Sequence, residues 1–296
     1  MRTNLATAED FDPPLSIDAP LRQTVPVVFA SPHSGNLYPR DFVASSRLDA
    51  LTLRRSEDAF VDELFAAAPA AGAPLLKAFF PRAYVDPNRE AYELDPAMFA
   101  DELPAWVNTA SPRVGAGLGT IARVVANGAE IYKGKLRFAE ARARIEGLYR
   151  PYHAALTNLI DQTRDDFGRV LFIDCHSMPS VGGPMDRDPG KRRVDFVLGD
   201  CHGASCAPVV TQRVEAFLHM RGYTVSRNDP YAGGFCTRHY GHPSQGRHAL
   251  QIEINRALYM DETPIRKSAG FTRLGQHLGE LVCALGALAQ GELASA

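Results

Sequence analysis

The 296-residue chain has no run of about eighteen consecutive apolar residues, the length a helix needs to cross a bilayer. Its first twenty residues, MRTNLATAEDFDPPLSIDAP, carry acids and prolines where a secretory signal has a basic end and an apolar block. Excess charge of one sign is lacking too. Thirty-two Lys and Arg stand against 34 Asp and Glu, a formal net charge of −2, so no field suited to a nucleic-acid backbone is expected. RDPGKRRVDF (187–196) clusters basic residues, but acids interrupt it, as in a solvated loop or a lid. Cysteine is sparse. Five, at 175, 201, 206, 236 and 283, make no disulfide framework in a chain this long, which favours a reducing cytoplasm. Cys201 and Cys206 flank His202 in CHGASC, yet no second pair follows at finger-like spacing, so small buried or half-buried thiols are expected there. No repeat, low-complexity linker or shift in composition marks a boundary, and one domain over residues 1–296 is expected.

What is present is ordinary globular material, 45% hydrophobic and 22% charged. VPVVFA (25–30) reads as a central strand. Residues 47–68 show helical spacing, firmest from Asp58 onward. PLLKAFF (74–80) reads as a strand, followed by a second extended piece that ends in the turn Asp86-Pro87-Asn88. Residues 92–134 are rich in Gly, Pro and Asn, with IARVVANG (121–128) a candidate hairpin arm. The strongest helix covers 135–168, where Ile145, Leu148, Tyr152, Leu156 and Leu159 form a stripe. VLFIDCHS (170–177) is the next strand, CAPVVTQRVEAFLHMRG (206–222) a helix and YTVSRN (223–228) an extended piece. HALQIEINRALYM (248–260) contains another strand, and TRLGQHLGELVCALGALAQ (272–290) is a closing helix. Alternation of this kind predicts an α/β sheet with helices on both faces.

Two strands run into a histidine: His33 in SPHSG and His176 in DCHS. Open α/β sheets bind ligands beyond the carboxyl ends of their strands, where both would lie. Glu253 alternates with Leu250, Ile252 and Ile254, so it faces solvent, a partner or a cavity. Taken singly, each is most simply a structural hydrogen-bonder or a wet strand face. Together with the acid-rich Ser56-Glu57-Asp58, they can supply a zinc site of two imidazoles and one carboxylate, plus a general base. Asp174, two residues before His176 on the same side of the strand, is placed to orient that imidazole. Arg82, Arg89 and Arg238 recur in turn-rich segments and suit carboxylates; Arg89 follows the Asp-Pro-Asn turn and Arg238 follows Gly233-Gly234, which ranks them above Arg82.

The ordered set SPHSGNLYP, SEDAFVDELF, AYVDPNRE, GLGTIARVVANGAEIY, LFIDCHSM, GDCHGASCAP and GGFCTRHYGHPSQGRHALQIEINRALYM resembles the N-formylglutamate amidohydrolase family over about residues 12–275. The resemblance implies a mixed central sheet of the phosphorylase/hydrolase-like kind, distantly related to zinc carboxypeptidases and aspartoacylase. It also implies hydrolysis of N-formyl-L-glutamate to formate and L-glutamate, a step of histidine degradation. By position it implies His33, Asp58 and His176 as ligands of one Zn2+ per chain, with Glu57 the substitute for Asp58, and Glu253 as the base. Zinc carboxypeptidases use His-x-x-Glu, whereas Asn36 stands three residues after His33, so the carboxylate comes from elsewhere. Arg238 or His248 is then the donor to the oxyanion, and Arg89 and Arg238, with Asn88 and Thr237, hold the two carboxylates of the glutamyl part.

Two rivals remain at this level: a zinc hydrolase of another N-acyl amino acid or small peptide, and a non-catalytic binder of an acidic small molecule with structural histidines. The first is separated by substrate comparison, the second by the absence of a stoichiometric metal. The partner expected is a small acidic N-acyl amino acid, with no nucleic acid and no membrane; the oligomeric state is left open. Residues 92–119 and 181–193 are candidate lids.

Overall fold

The computed structural model describes residues 6–8, 11–184 and 186–294. Seven strands form the central sheet: β1 (Leu15–Asp18), β2 (Val27–Ser31), β3 (Leu75–Ala78), β4 (Val170–Met178), β5 (Phe196–Gly199), β6 (Val225–Arg227) and β7 (Arg247–Asn255). Their spatial order is β1-β3-β2-β4-β7-β5-β6. The four inner strands β3, β2, β4 and β7 run parallel, β1 is antiparallel to β3, and β5 is antiparallel to β7 while parallel to β6. The sheet is therefore mixed, as expected. Its four parallel strands discharge their carboxyl ends along one edge.

Each sheet face buries a different helix set. On one face, Val28, Ala30, Val170, Phe172 and Ala249 pack against Tyr152, Leu156 and Ile160 of α1 (Arg150–Phe167). On the other, Val27, Phe29, Leu171, Ile173, Leu250 and Ile252 pack against α2 (Pro208–Met220) and against α4 (Gly270–Gln290), which follows the short α3 (Phe235–Tyr240). Full burial of each Val, Leu, Ile or Phe side chain among them contributes roughly 1.5–3 kcal/mol. Among the described residues no helix is long and apolar enough to cross a membrane.

The expected elements are recovered with informative departures. The 135–168 helix runs from Phe138 through a π turn at Ile145–Tyr149 into α1, which Gly168 ends at φ 75°. Pro151 has no N–H to close an i→i−4 bond, and the backbone there takes the wider turn. The stripe ends on Ile160, fully buried, while Leu159 is half-buried. The helix expected from Asp58 does not start there. Ala50–Leu53 and a 3-10 turn at Arg54–Ser56 stop short, Phe60 takes φ 68°, and helix resumes only at Val61–Leu64. The interruption frees Asp58 from a helical ladder. The second extended piece before Asp86 is a set of turns, and IARVVANG folds back through a single antiparallel bridge, Val124 to Glu130. β1 was not anticipated, because its edge position leaves its residues half-exposed and its sequence mixed.

Candidate active site

β4 and β7 change character along their length. On the face that meets α1, β4 presents Val170 and Phe172, then Asp174 and His176; β7 presents Ala249, then Gln251 and Glu253. The ladder pairs Asp174 with Gln251 and His176 with Glu253. Paired strands lie roughly 4.8 Å apart, so the imidazole and the carboxylate stand side by side. DCHS does not end its strand; Asp174 to Ser177 are inside β4, which continues to Met178.

His33 arrives from the neighbouring strand, two residues beyond the end of β2. The loop that carries it is pressed against the exit of β3. A Cβ on Gly35 would lie 2.2 Å from the carbonyl oxygen of Phe80, so only glycine fits. The amide of Asp58 donates to the His33 carbonyl at 3.0 Å, and the Ser34 hydroxyl donates to the Asp58 carbonyl at 3.2 Å, which ties the two segments together. The result is a buried cluster in which one ligand atom each from His33, Asp58 and His176 lies within 4.8 Å of the others.

Both imidazoles are held in the same way. His176 Nδ1 faces Asp58 Oδ2 at 3.0 Å and its Nε2 faces Asp174 Oδ1 at 2.8 Å. His33 Nδ1 stands 3.3 Å from Asp58 Oδ2 without hydrogen-bond geometry, and its Nε2 meets Asp86 Oδ1 at 2.7 Å. Each ring therefore turns Nδ1 toward Asp58 and hands Nε2 to a second carboxylate, the arrangement that fixes the tautomer of a metal-binding histidine. Asp86 is anchored by Arg82 at 2.8 Å and by the amide of Asn88 at 2.8 Å. Asp58 Oδ1 accepts from Arg256 at 3.0 Å and from the Ser177 hydroxyl at 3.3 Å.

Charge in this pocket follows from those contacts. Burial opposes ionisation of Asp58, but the hydrogen bond to His176 and the closeness of both imidazoles outweigh it and hold its carboxyl well below the usual range. His176 is raised well above the ordinary imidazole value: burial works against it, and the charge of Asp174 prevails. Arg82 and Arg89 likewise keep Asp86 ionised against its burial. Glu253 goes the other way. Burial pushes it up to about 7, the adjacent His176 moderating and Asp58 reinforcing the shift. Gln251 donates to Glu253 at 2.9 Å and accepts from the Gly234 amide at 2.7 Å, so the carboxylate is positioned through β7 itself.

The donor set fits a divalent cation. Two nitrogens and a carboxylate match zinc preferences, and the buried His33 Nδ1, which has no hydrogen-bond partner among the described residues, is an orphan that a cation would satisfy.

Glu57 does not join the cluster. It turns to Arg54 at 2.9 Å and to the Tyr38 hydroxyl at 2.7 Å, on the far side of the turn from Asp58. His248 is likewise elsewhere. It lies five residues before Glu253 on β7, roughly 16 Å away and on the opposite face, where its Nδ1 accepts the Ala207 amide. Thr237 is fully buried and its hydroxyl donates to Asp174 at 3.1 Å, so it braces the cluster and does not line open space. Asn88, Arg89 and Arg238 do line a cavity of about 320 Å³. Asn88 joins it to the cluster, with Nδ2 3.1 Å from His176 Nε2. Arg89 is buried and its affinity for its proton falls to about 10 for want of water, while its Nε and Nη1 are spent on the carbonyls of Leu118 and Asn88. α1 and the π turn before it steady this turn: His153 binds the Pro87 carbonyl at 2.8 Å, and the Tyr149 hydroxyl donates to the Arg89 carbonyl at 2.8 Å.

Asp86, Gln251 and Arg256 escaped the reading of the sequence. Gln251 carried a signal, since it shares the strand face of Glu253 two residues on. Asp86 was visible only as a turn former, and nothing local distinguishes Arg256.

A model of the N-formylglutamate amidohydrolase family matches residues 25–260. The chain is 31% identical over 243 residues to the N-formylglutamate deformylase of Pseudomonas putida, covering 81% of this chain and 83% of that one. It is 32% identical over 246 residues to the N-formylglutamate deformylase of Pseudomonas aeruginosa, covering 81% and 84%. The crystal structure of N-formylglutamate amidohydrolase from Ralstonia eutropha JMP134 superposes with a TM-score of 0.85 at 37% identity, over 94% of this chain and 98% of that chain. On the strength of that match across most of its length, the chain belongs to the N-formylglutamate amidohydrolase family, hydrolases of amide carbon–nitrogen bonds.

Proposed function

We propose that the protein hydrolyses N-formyl-L-glutamate to formate and L-glutamate, with His33, Asp58 and His176 holding one zinc ion per chain. Bound there, zinc would supply a Lewis acid that lowers the cost of developing negative charge. The remaining work falls to side chains. Glu253, with a proton affinity brought near neutrality by burial, takes the proton of the attacking water and delivers it to the departing nitrogen. Asp174 and Asp86 keep the two imidazoles oriented, and Asn88, Arg89 and Arg238 grip the glutamyl carboxylates in the adjoining cavity. His248 has no part in this scheme, because it sits at the far end of β7. Thr237 acts behind Asp174 and not on substrate.

The observation that carries the reading is the junction of a metal-competent cluster with an arginine-lined cavity through Asn88. A small acidic amide can then place its carbonyl at the cluster and its carboxylates against guanidinium groups. The names of the relatives supply the formyl group. We assign the reaction to the cytoplasm, in keeping with five free cysteines, as the closing step of a histidine-degradation route.

The test is formate release from N-formyl-L-glutamate by zinc-supplemented protein beside a chelator-treated sample. N-formyl-L-aspartate, N-acetyl-L-glutamate and N-formyl-L-methionine serve as comparison substrates. Chelator-sensitive release that favours N-formyl-L-glutamate supports the proposal. Preference for another of the four keeps the chemistry and replaces the substrate.

A further inference from the structure

The 320 Å³ cavity carries a third guanidinium, Arg113, that the scheme above leaves unused. Its backbone is firmly set. Ser111 caps the short helix Pro112–Gly115 by accepting the Val114 amide at 3.1 Å, and Pro112 occupies the first turn. The amide of Leu118 donates to the Arg113 carbonyl at 2.8 Å. The acids of the cavity anchor this segment: Glu93 takes the Ser111 hydroxyl, and Glu90 takes the Asn108 side-chain amide at 2.9 Å. Both acids are thus spent on neutral donors, and no carboxylate pairs with Arg113 among the described residues. Arg113 nevertheless lies near enough to Arg89 for its charge to depress the proton affinity of that residue. Two guanidinium groups that share a cavity repel unless an anion lies between them.

We infer that Arg113 is the specificity-determining residue that reads the side-chain carboxylate of the substrate, an inference that rests on the reading of the cavity as a glutamyl site. Asn88 adjoins the metal-competent cluster and Gly234 binds Gln251 beside Glu253, whereas Arg113 is exposed to solvent. In an N-acylated glutamate the α-carboxylate is one bond from the carbon that bears the reacting nitrogen, and the side-chain carboxylate is two methylenes further. The inner guanidinium of Arg89 therefore suits the first, and the outer Arg113, with the likewise exposed Arg238 in the same lining, the second. Dicarboxylate recognition follows from having cations at both depths.

Calorimetric titration of the zinc-loaded protein with L-glutamate and with L-glutamine tests the assignment without needing turnover. Wild type is expected to favour glutamate. Arg113→Ala should weaken glutamate binding by about 10- to 100-fold, the loss typical of a hydrogen bond to a charged group, and leave glutamine within about threefold. Arg113→Lys should restore part of the preference. An unchanged preference in Arg113→Ala, or no preference in wild type, overturns the inference. Intact Arg113-dependent preference without formate release from N-formyl-L-glutamate would instead overturn the proposed reaction and leave the dicarboxylate site standing.

Discussion

Replacing Glu253 by Gln should give an enzyme that is less active and more stable. Gln is nearly isosteric, and its carbonyl can still accept the Gln251 donor that Glu253 accepts at 2.9 Å. Activity should fall by about 10²- to 10⁴-fold, the usual contribution of a positioned general base. Stability follows from linkage. Burial raises the carboxyl from 4.5 to about 7 in the folded protein. A carboxyl whose folded value is raised contributes stability present below the unfolded value and lost as pH climbs to the folded one. The loss therefore develops between about pH 4.5 and pH 7 and amounts to at most about 3 kcal/mol near pH 8. Glutamine does not ionise and escapes it. Calorimetric melting of the metal-free proteins should thus place Glu253→Gln above wild type near pH 8, by roughly 5 °C for a chain of this size. The gap should shrink to under about 1 kcal/mol near pH 5. Added zinc should narrow it as well, because a cation beside Glu253 favours its charged form. Melting temperatures that coincide at both pH values would refute the buried-carboxylate argument. A turnover number within tenfold of wild type would remove Glu253 from the chemistry.

Two further outcomes follow from the same geometry. Asp86→Asn keeps the size of the side chain but weakens its hold on His33 Nε2 and leaves Arg82 without its ionic partner; zinc affinity should drop about 10- to 100-fold by competition with a chromophoric chelator, and Asp174→Asn should act alike on His176. Unaltered affinity in both would dismiss the carboxylates as metal-site supports. Gly35→Ala drives a methyl into the Phe80 carbonyl at 2.2 Å; it should destabilise the protein by about 1–3 kcal/mol in denaturant melts and lower zinc occupancy, and a variant as stable as wild type would contradict the close approach.

Amphipathic spacing and apolar runs determined the alternation of strands and helices, because periodicity reflects which side of an element meets the core. For the same reason Asp174, His176 and Glu253 were legible: polar side chains in otherwise apolar strands ask for a cavity, and the parallel register of β4 and β7 answers by seating His176 beside Glu253. The choice between Glu57 and Asp58 was not legible. Adjacent acids differ only in which way the backbone turns, and that depends on a left-handed Phe60 and on Tyr38 and Arg54 waiting to receive Glu57. His248 misled for a related reason: proximity in sequence to Glu253 says nothing about strand length, and five residues of β-structure carry it to the other end of the sheet. Asp86 met His33 only because β3 and β2 lie side by side and release their chains at the same edge. Chemistry that belongs to single side chains was written in the sequence. Whatever depends on two segments meeting, such as the partner of each imidazole and the cavity where three arginines converge, was decided by the order of the strands.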